Sequence, residues 1–334
     1  MKLSTRRVAI AAALLVAVAA AVAVAGASAS SSRQAASAKV AIIETGPALV
    51  GSYNTTHTLA FNAMCKQYKF TCKVVDNVAY ANTDQTLTRL AAAGMNLIIA
   101  NSNGFANGLL DIAPKFPNTW FVMTSDIPGT KGNKNLAGFV QDWQQFGFLG
   151  GVVAGYLSKT GVMGYVVGQP LTAAKRMMGG ALQGVRYVNP KARVIFKYTN
   201  SWVDTSLAKQ AALAEVASGA DVVTAVDGGG NPGVIQAAQE KKLKYLGYLA
   251  DEYKSAPCCI PTSMTIDAKH IYQQIGQLYS TKQLKPKLYV GGVGDGSIKL
   301  APLRGVPKAI AAKILAVQAK VKSGQIKVKE TLYG

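Results

Sequence analysis

The residues of this chain best placed to do chemistry are aromatic and amide side chains at the ends of apolar runs. Tyr53-Asn54 follows the first such run, Phe105 the third, and Trp202, within Asn200-Ser201-Trp202-Val203-Asp204, a run in the second half. Rings arriving from distant parts of the chain can sandwich a flat ligand, each stack contributing about 0.5–1.5 kcal/mol. The Asn54 amide can pair with the edge of a heterocycle. Gly228-Gly229-Gly230-Asn231-Pro232-Gly233 satisfies G-x-G-x-x-G between an expected strand and helix, with Asp227 before it and Asp251 eighteen residues beyond its last glycine. On pattern alone this is a dinucleotide fingerprint. Its late position in the chain and the stiff Pro232 argue against wrapping a pyrophosphate. The loop is read instead as presenting helix-terminal N–H groups to a polar ligand, with Asp227, Asn231 and Asp251 as its polar partners.

Nothing else in the sequence asks for catalysis. There is no G-x-S-x-G, H-E-x-x-H or P-loop, and His57 has no nucleophile near it in sequence. Two histidines and four cysteines are too few for a Cys/His zinc site. No enzyme activity, cofactor or metal is expected.

These residues must be held by some scaffold, and the pattern indicates which. Short apolar runs alternate with helical stretches: strands at 39–44, 70–76, 96–100, 119–125 and 136–140, then 162–168, 193–199, 221–226, 244–249, 262–266 and 287–290. Helices are expected at 55–66, 83–93, 108–115, 143–158, 172–188, 206–217, 233–241, 268–280 and 308–323. Strand–helix alternation is the signature of parallel sheets. The 334 residues suffice for two buried cores. The expected fold is therefore α/β, with two Rossmann-like parallel-sheet lobes, a hinge, and a ligand cleft at the carboxyl ends of the strands.

The amino terminus reads as an export signal. Lys2, Arg6 and Arg7 precede an uncharged apolar run from Val8 to about Gly26, and Ala27-Ser28-Ala29 offers a small-x-small cleavage site. Residues 1–30 are assigned to a cleaved signal peptide and 31–38 to a linker, in a periplasmic or otherwise extracytoplasmic protein; the length of the apolar run leaves an uncleaved membrane anchor as the alternative, and Arg6-Arg7 leaves the export route, general or twin-arginine, open. No cysteine follows the apolar run to make a lipobox. Outside the cytoplasm thiols tend to be oxidised, and a Cys65–Cys72 disulfide is expected; the pairing of Cys258 and Cys259 stays open. The chain carries a formal net charge of +20, with 36 basic residues against 16 acids. From Lys282 to Lys329 lie eleven of the basic residues. Aromatics do not interleave with them, so they read as a solvated helix face rather than a nucleic-acid surface.

At this point the motifs become familial. Ser52-Tyr53-Asn54-Thr55 is similar to an S-F-N-Q turn, Phe148-Leu149-Gly150-Gly151 to an F-L-A-G helix, and Val188-Asn189-Pro190-Lys191 with Asn200-Ser201-Trp202-Val203-Asp204 to N-P-K and N-S-W-x-D segments. Gly219-Ala220-Asp221-Val222-Val223 and Ser323-Gly324-Gln325-Ile326-Lys327-Val328 are also similar. Together they resemble the basic membrane protein (PnrA-like) family of type I substrate-binding proteins, which serve ABC importers of nucleosides. The resemblance implies that Tyr53 and Trp202 stack on a base, that Asn54 pairs with it, and that acids near the glycine loop and the next strand engage ribose. The sequence departs from the family at Gly46–Gly51, where an acid-rich segment is usual, and at Gly247-Tyr248-Leu249-Ala250-Asp251, which lacks the first acid of G-V-D-x-D.

The expectation is a monomeric solute-binding protein that closes two lobes, 39–141 plus 252–285 and 142–251 plus 286–334, around a nucleoside or nucleobase and hands it to an ABC permease. A sensor presenting its closed form to a receptor and an exported nucleoside-processing enzyme are the alternatives. The site residues are Tyr53, Asn54, Phe105, Trp202, Asp227, Asn231 and Asp251.

Overall fold

A computed structural model describes residues 37–50 and 52–334, so the expected signal peptide and nearly all of the linker lie outside the described residues. The first part of the chain runs β1 (Lys39–Ile43), α1 (Ser52–Tyr68), β2 (Thr71–Val75), α2 (Thr83–Ala92), β3 (Leu97–Ala100), α3 (Ala106–Ile112), β4 (Trp120–Met123) and β5 (Leu136–Gln141). A second series follows: α4 (Trp143–Leu157), β6 (Val162–Val167), α5 (Thr172–Val188), β7 (Arg193–Tyr198), α6 (Thr205–Ala217), β8 (Val222–Val226), α7 (Asn231–Lys241), β9 (Lys244–Leu249) and β10 (Ser263–Ile266). The chain ends with α8 (Ala268–Ser280), β11 (Leu288–Gly291), β12 (Ile298–Leu300) and α9 (Lys308–Lys322).

Two six-stranded sheets result. The first has the order β11-β5-β4-β3-β1-β2 and is parallel throughout. The second has the order β12-β10-β9-β8-β6-β7 and is parallel except for the edge pair β10–β12. Helices cover both faces, which is why the inner strands read as unbroken apolar runs. In β1, Val40 and Ile42 pack with Phe61 and Met64 on one face, while Ala41 and Ile43 pack with Leu87 and Leu109 on the other. Cys65 of α1 and Cys72 of β2 form a disulfide, and Cys258 and Cys259 are unpaired.

The chain passes between lobes three times. Two of the passages fall elsewhere than the sequence suggested. The first comes after β5, which is in the first sheet, and before β6, which is in the second. The second comes after β10, not at 251/252, because β10 pairs with β9 and extends the second sheet. The third comes after β11, not at 285/286, because β11 pairs with β5 in the first. The helix between them, α8, lies against α1 of the first lobe, with the Tyr68 hydroxyl donating to Gln273 O (3.1 Å) and Gln273 Nε2 to Gln67 Oε1 (3.1 Å). The crossovers are tied to one another: Asp142 N donates to Gly291 O and Asp267 N to Ser297 O, each at 2.8 Å. Their carboxylates cap the following helices, accepting from Gln145 N (3.0 Å) and His270 N (2.9 Å). The short strand β12 was not anticipated either; three residues beside a glycine-rich turn carry too little periodicity to register.

In the second lobe α4 and α5 cross at very close range, and the Phe148-Leu149-Gly150-Gly151 motif explains how. A Cβ on Gly151 would stand 2.1 Å from the Ala181 carbonyl oxygen. Backbone cannot give way there as a flexible side chain would. Replacing Gly151 by valine forces the helices apart, and we expect a loss of about 3 kcal/mol, at the upper end for overpacking, read as a lowered urea midpoint with an unchanged m-value.

Candidate functional site

The two sheets turn their carboxyl ends toward each other, and a cavity lies between them. Its empty volume is about 770 Å³, open solvent at the mouth included. In each sheet the strand order reverses next to the central pair, β1/β3 in the first and β6/β8 in the second, and the loops leaving those strands diverge to leave a crevice. Thr45, Pro47, Tyr53 and Asn54 enter from the β1–α1 turn, Tyr80 from the turn after β2, Ser102 and Asn103 after β3, and Ser125 after β4. The other lobe contributes Trp143 at the start of α4, Ala173, Ala174 and Met177 from the first turns of α5, Trp202 after β7, Gly228 and Gly229 after β8, and Tyr248 of β9.

The structure brings together three of the seven residues singled out from sequence. Tyr53 and Asn54 stand on one wall and Trp202 on the other. The Asn54 amide donates to Pro47 O at 3.3 Å. The turn carrying Trp202 is braced by its own motif: the Ser201 hydroxyl accepts from Val203 N (3.2 Å) and Asp204 N (3.0 Å), and Asp204 caps α6 by accepting from Leu207 N (2.9 Å). Gly229 N donates to Trp202 O at 2.8 Å, so the glycine loop supports the tryptophan turn with an N–H that the sequence had offered to a ligand. The indole lies on Gly168, where a Cβ would stand 2.4 Å from its Cε3.

The other four residues sit elsewhere. Phe105 is fully buried in the first lobe's core, its ring edge-on to Tyr80 with centroids 5.3 Å apart. It stands behind the ring that does reach the cavity. Asp227 is fully buried, its Oδ2 accepting from the Thr199 hydroxyl at 2.8 Å. Asn231 Oδ1 accepts from Asp227 N at 3.1 Å, fixing the start of α7. Asp251 turns to Arg304, with Nη1 and Nη2 donating at 2.9 and 2.7 Å, and lies in a separate groove beside α7. The three polar residues of these four bind within their own lobe: Asp227 a hydroxyl, Asn231 a backbone amide and Asp251 an arginine. Tyr80, Trp143, Met177 and Tyr248 were missed. Tyr80 obeys the same strand-end rule as Tyr53; the others start or fill regular elements and carry no signal apart from ordinary core residues.

Three titratable groups are buried beside the cavity. Glu44, at the end of β1, is fully buried and accepts from the Thr58 hydroxyl (2.9 Å) and Asn101 Nδ2 (3.3 Å). Burial outweighs these hydrogen bonds and pushes its carboxyl up to about 7. Burial likewise raises Asp227 to about 7 against the Thr199 bond. His57, buried beneath Tyr53 with ring centroids 4.7 Å apart, is held neutral, its value lowered to about 3 by desolvation. Among the described residues one ion pair joins the lobes. Arg176 of α5 reaches Asp126, after β4, at 2.7 Å, and its other terminal nitrogen reaches Glu330 of the carboxyl-terminal tail at 2.7 Å. No cluster of three or more potential metal ligands occurs among the described residues.

With the geometry in view, comparison with known proteins becomes informative. Residues 38–331 match the profile of the family described as ABC transporter substrate-binding protein, PnrA-like. The chain belongs to that family. It is 26% identical over 291 residues to a purine-binding protein of Brucella abortus, covering 86% of this chain and 82% of that one. It is 24% identical to basic membrane protein A1 of Borrelia garinii over 76% of this chain and 75% of that protein. Among solved structures, an ABC transporter solute-binding protein from Aeropyrum pernix superposes with a TM-score of 0.80 at 17% identity, over 88% of this chain and 94% of that one. At that identity the match establishes the fold, a type I periplasmic binding protein.

Two predictions follow from the buried carboxyls and the bridge. Glu44 and Asp227 keep their protons in the folded chain at pH values where the unfolded chain has lost them, so the folded state binds more protons between their ordinary carboxylate values and about 7. Stability therefore falls as pH rises through that window. Urea midpoints should be higher near pH 5 than near pH 7.5, and Glu44→Gln should flatten the difference. Asp126→Asn removes the interlobe pair, and ligand affinity measured by calorimetry should drop about 2- to 5-fold, the worth of a partly exposed bridge, with the fold intact.

Proposed function

We propose that this chain is the extracytoplasmic solute-binding component of an ABC importer, and that it captures a planar, purine-class ligand between its lobes and delivers it to a membrane permease. The observation that carries the reading is the pairing of Tyr53 and Trp202. They belong to different lobes and line one cavity. The purine-binding relative supports the ligand class, and the basic, apolar leader of the sequence supports export. In this reading the protein binds its ligand without chemistry, and the histidine beneath the cavity is kept neutral by burial.

In this arrangement binding and closure are one equilibrium. A ligand touching both walls has its full set of contacts only in the closed form, and that differential affinity shifts the population. Trp202→Ala should therefore cost on the order of 2–3 kcal/mol, a factor of roughly 30 to 150 in Kd, the usual worth of a buried aromatic anchor. Tyr53→Phe should change affinity little, since the ring face is what stacks. Titration calorimetry with hypoxanthine decides it: an unaltered Kd in Trp202→Ala would reduce Trp202 to packing and remove the basis of the sandwich.

A further inference from the structure

The chain holds four cysteines, and ligand capture uses none of them. Cys65 and Cys72 are bonded to each other in the first lobe. Cys258 and Cys259 therefore have only one another to pair with inside the chain, and they lie on the connection from β9 to β10. Their surroundings differ. Cys258 is exposed, whereas Cys259 is buried in the second lobe's core with Ala238, Tyr245 and Ile260.

The turn that carries the two thiols is pinned at both ends. Ala256 O accepts from Cys259 N (3.0 Å) and Ile260 N (3.1 Å), and Cys259 O accepts from Tyr245 N of β9 (2.9 Å). Pro257, just before the pair, restricts its own φ. Held this way, the two side chains hydrogen-bond each other, and the Cys259 thiol donates to Ala238 O at 3.9 Å. Burial, and then the hydrogen bond with Cys258, push the Cys259 thiol up to about 11. The thiolate is the reacting form, so Cys259 is a poor target for reagents in solution. An exposed thiol touching a sheltered one is the arrangement of a redox cysteine and its resolving partner. The first can meet a disulfide from solution, and the second can meet only the first.

We propose that Cys258 and Cys259 are a reversible dithiol–disulfide site that exchanges with disulfides in solution, of which glutathione disulfide is the type. The Cys258 thiolate attacks one sulfur of the oxidant, forming a mixed disulfide on Cys258 and releasing one thiol. Cys259 then loses its proton and attacks Cys258 Sγ, closing the Cys258–Cys259 bond and releasing the second thiol. The pair gives up two electrons and two protons, and the oxidant's disulfide becomes two thiols. Adjacent Cα atoms lie about 3.8 Å apart, short of the roughly 4.4–6.8 Å usual for a bridge, so the closed ring is strained. Cys65 and Cys72, at 6.2 Å, carry no such penalty. Closure also removes the S–H that Cys259 donates to Ala238 O. Both costs keep the bond labile, and strained disulfides are the ones that open and close with the surrounding redox poise.

The test treats the folded parent protein with excess glutathione disulfide, removes the oxidant, and reads the intact mass together with alkylation of free thiols after denaturation. The expected product is lighter than the starting protein by two hydrogen atoms, carries no glutathione and has no alkylatable thiol. Peptide mapping should place the new bond at Cys258–Cys259. Millimolar reduced glutathione should then restore two thiols while Cys65–Cys72 stays closed. Cys259→Ser, which lacks the resolving thiol, should instead retain one glutathione on Cys258. A parent protein that keeps both thiols, that holds glutathione on Cys258, or that links to a second copy through Cys258 overturns the proposal. None of these outcomes bears on ligand capture, which stands or falls on the calorimetry of Trp202→Ala.

Discussion

Three chain crossovers, tied to each other by Asp142 N to Gly291 O and Asp267 N to Ser297 O, hold the carboxyl edges of two parallel sheets face to face. Everything at the site depends on that constraint. Loops leave a parallel sheet at its carboxyl end, so facing two such edges places ten or so loop and helix starts around one crevice. The first two crossovers turn at once into helices capped by Asp142 and Asp267, and the third runs from β11 through a turn into β12. The Arg176–Asp126 pair joins the two lobes, while Glu330 holds the arginine from the second lobe.

The same geometry accounts for the character of the cavity. Carboxyls buried beneath the loops cannot ionise cheaply: Glu44 and Asp227 are both lifted to about 7 by burial. The site thus has few charges to offer and many oriented donors and aromatic faces. A binding protein must release its cargo as well as hold it, and stacking with a few hydrogen bonds provides affinity that disappears once the lobes part. A deeply buried ion pair with the ligand would be harder to undo.

Much of the fold was legible because buried parallel strands announce themselves as apolar runs: β1, β3 and β8 stand within a residue or so of their expected positions. The crossovers were less legible. Residues 252–285 and 286–334 looked like blocks, whereas β10 stays with the second sheet and β11 returns to the first; strand pairing is a long-range choice that local pattern does not encode. A clue existed in Asp267, which follows a strand and caps a helix just as Asp142 does at the first crossover. Tyr53, Asn54 and Trp202, singled out by their place at strand ends, line the cavity, whereas Phe105, singled out by the same rule, turns its ring inward beneath Tyr80. Ala173, Ala174 and Met177 could not be found that way, since small apolar residues opening a helix look alike whether they face a core or a ligand.

The central claim is that ligand capture and lobe closure are a single event. Small-angle X-ray scattering of the ligand-free protein, recorded with and without hypoxanthine at a concentration that calorimetry shows to saturate the site, tests it most directly. The account predicts a smaller radius of gyration and a shorter maximum dimension in the saturated sample, as an open population converts to a closed one. Superimposable profiles at proven saturation would contradict it, because the ligand would then be held without drawing the two walls together.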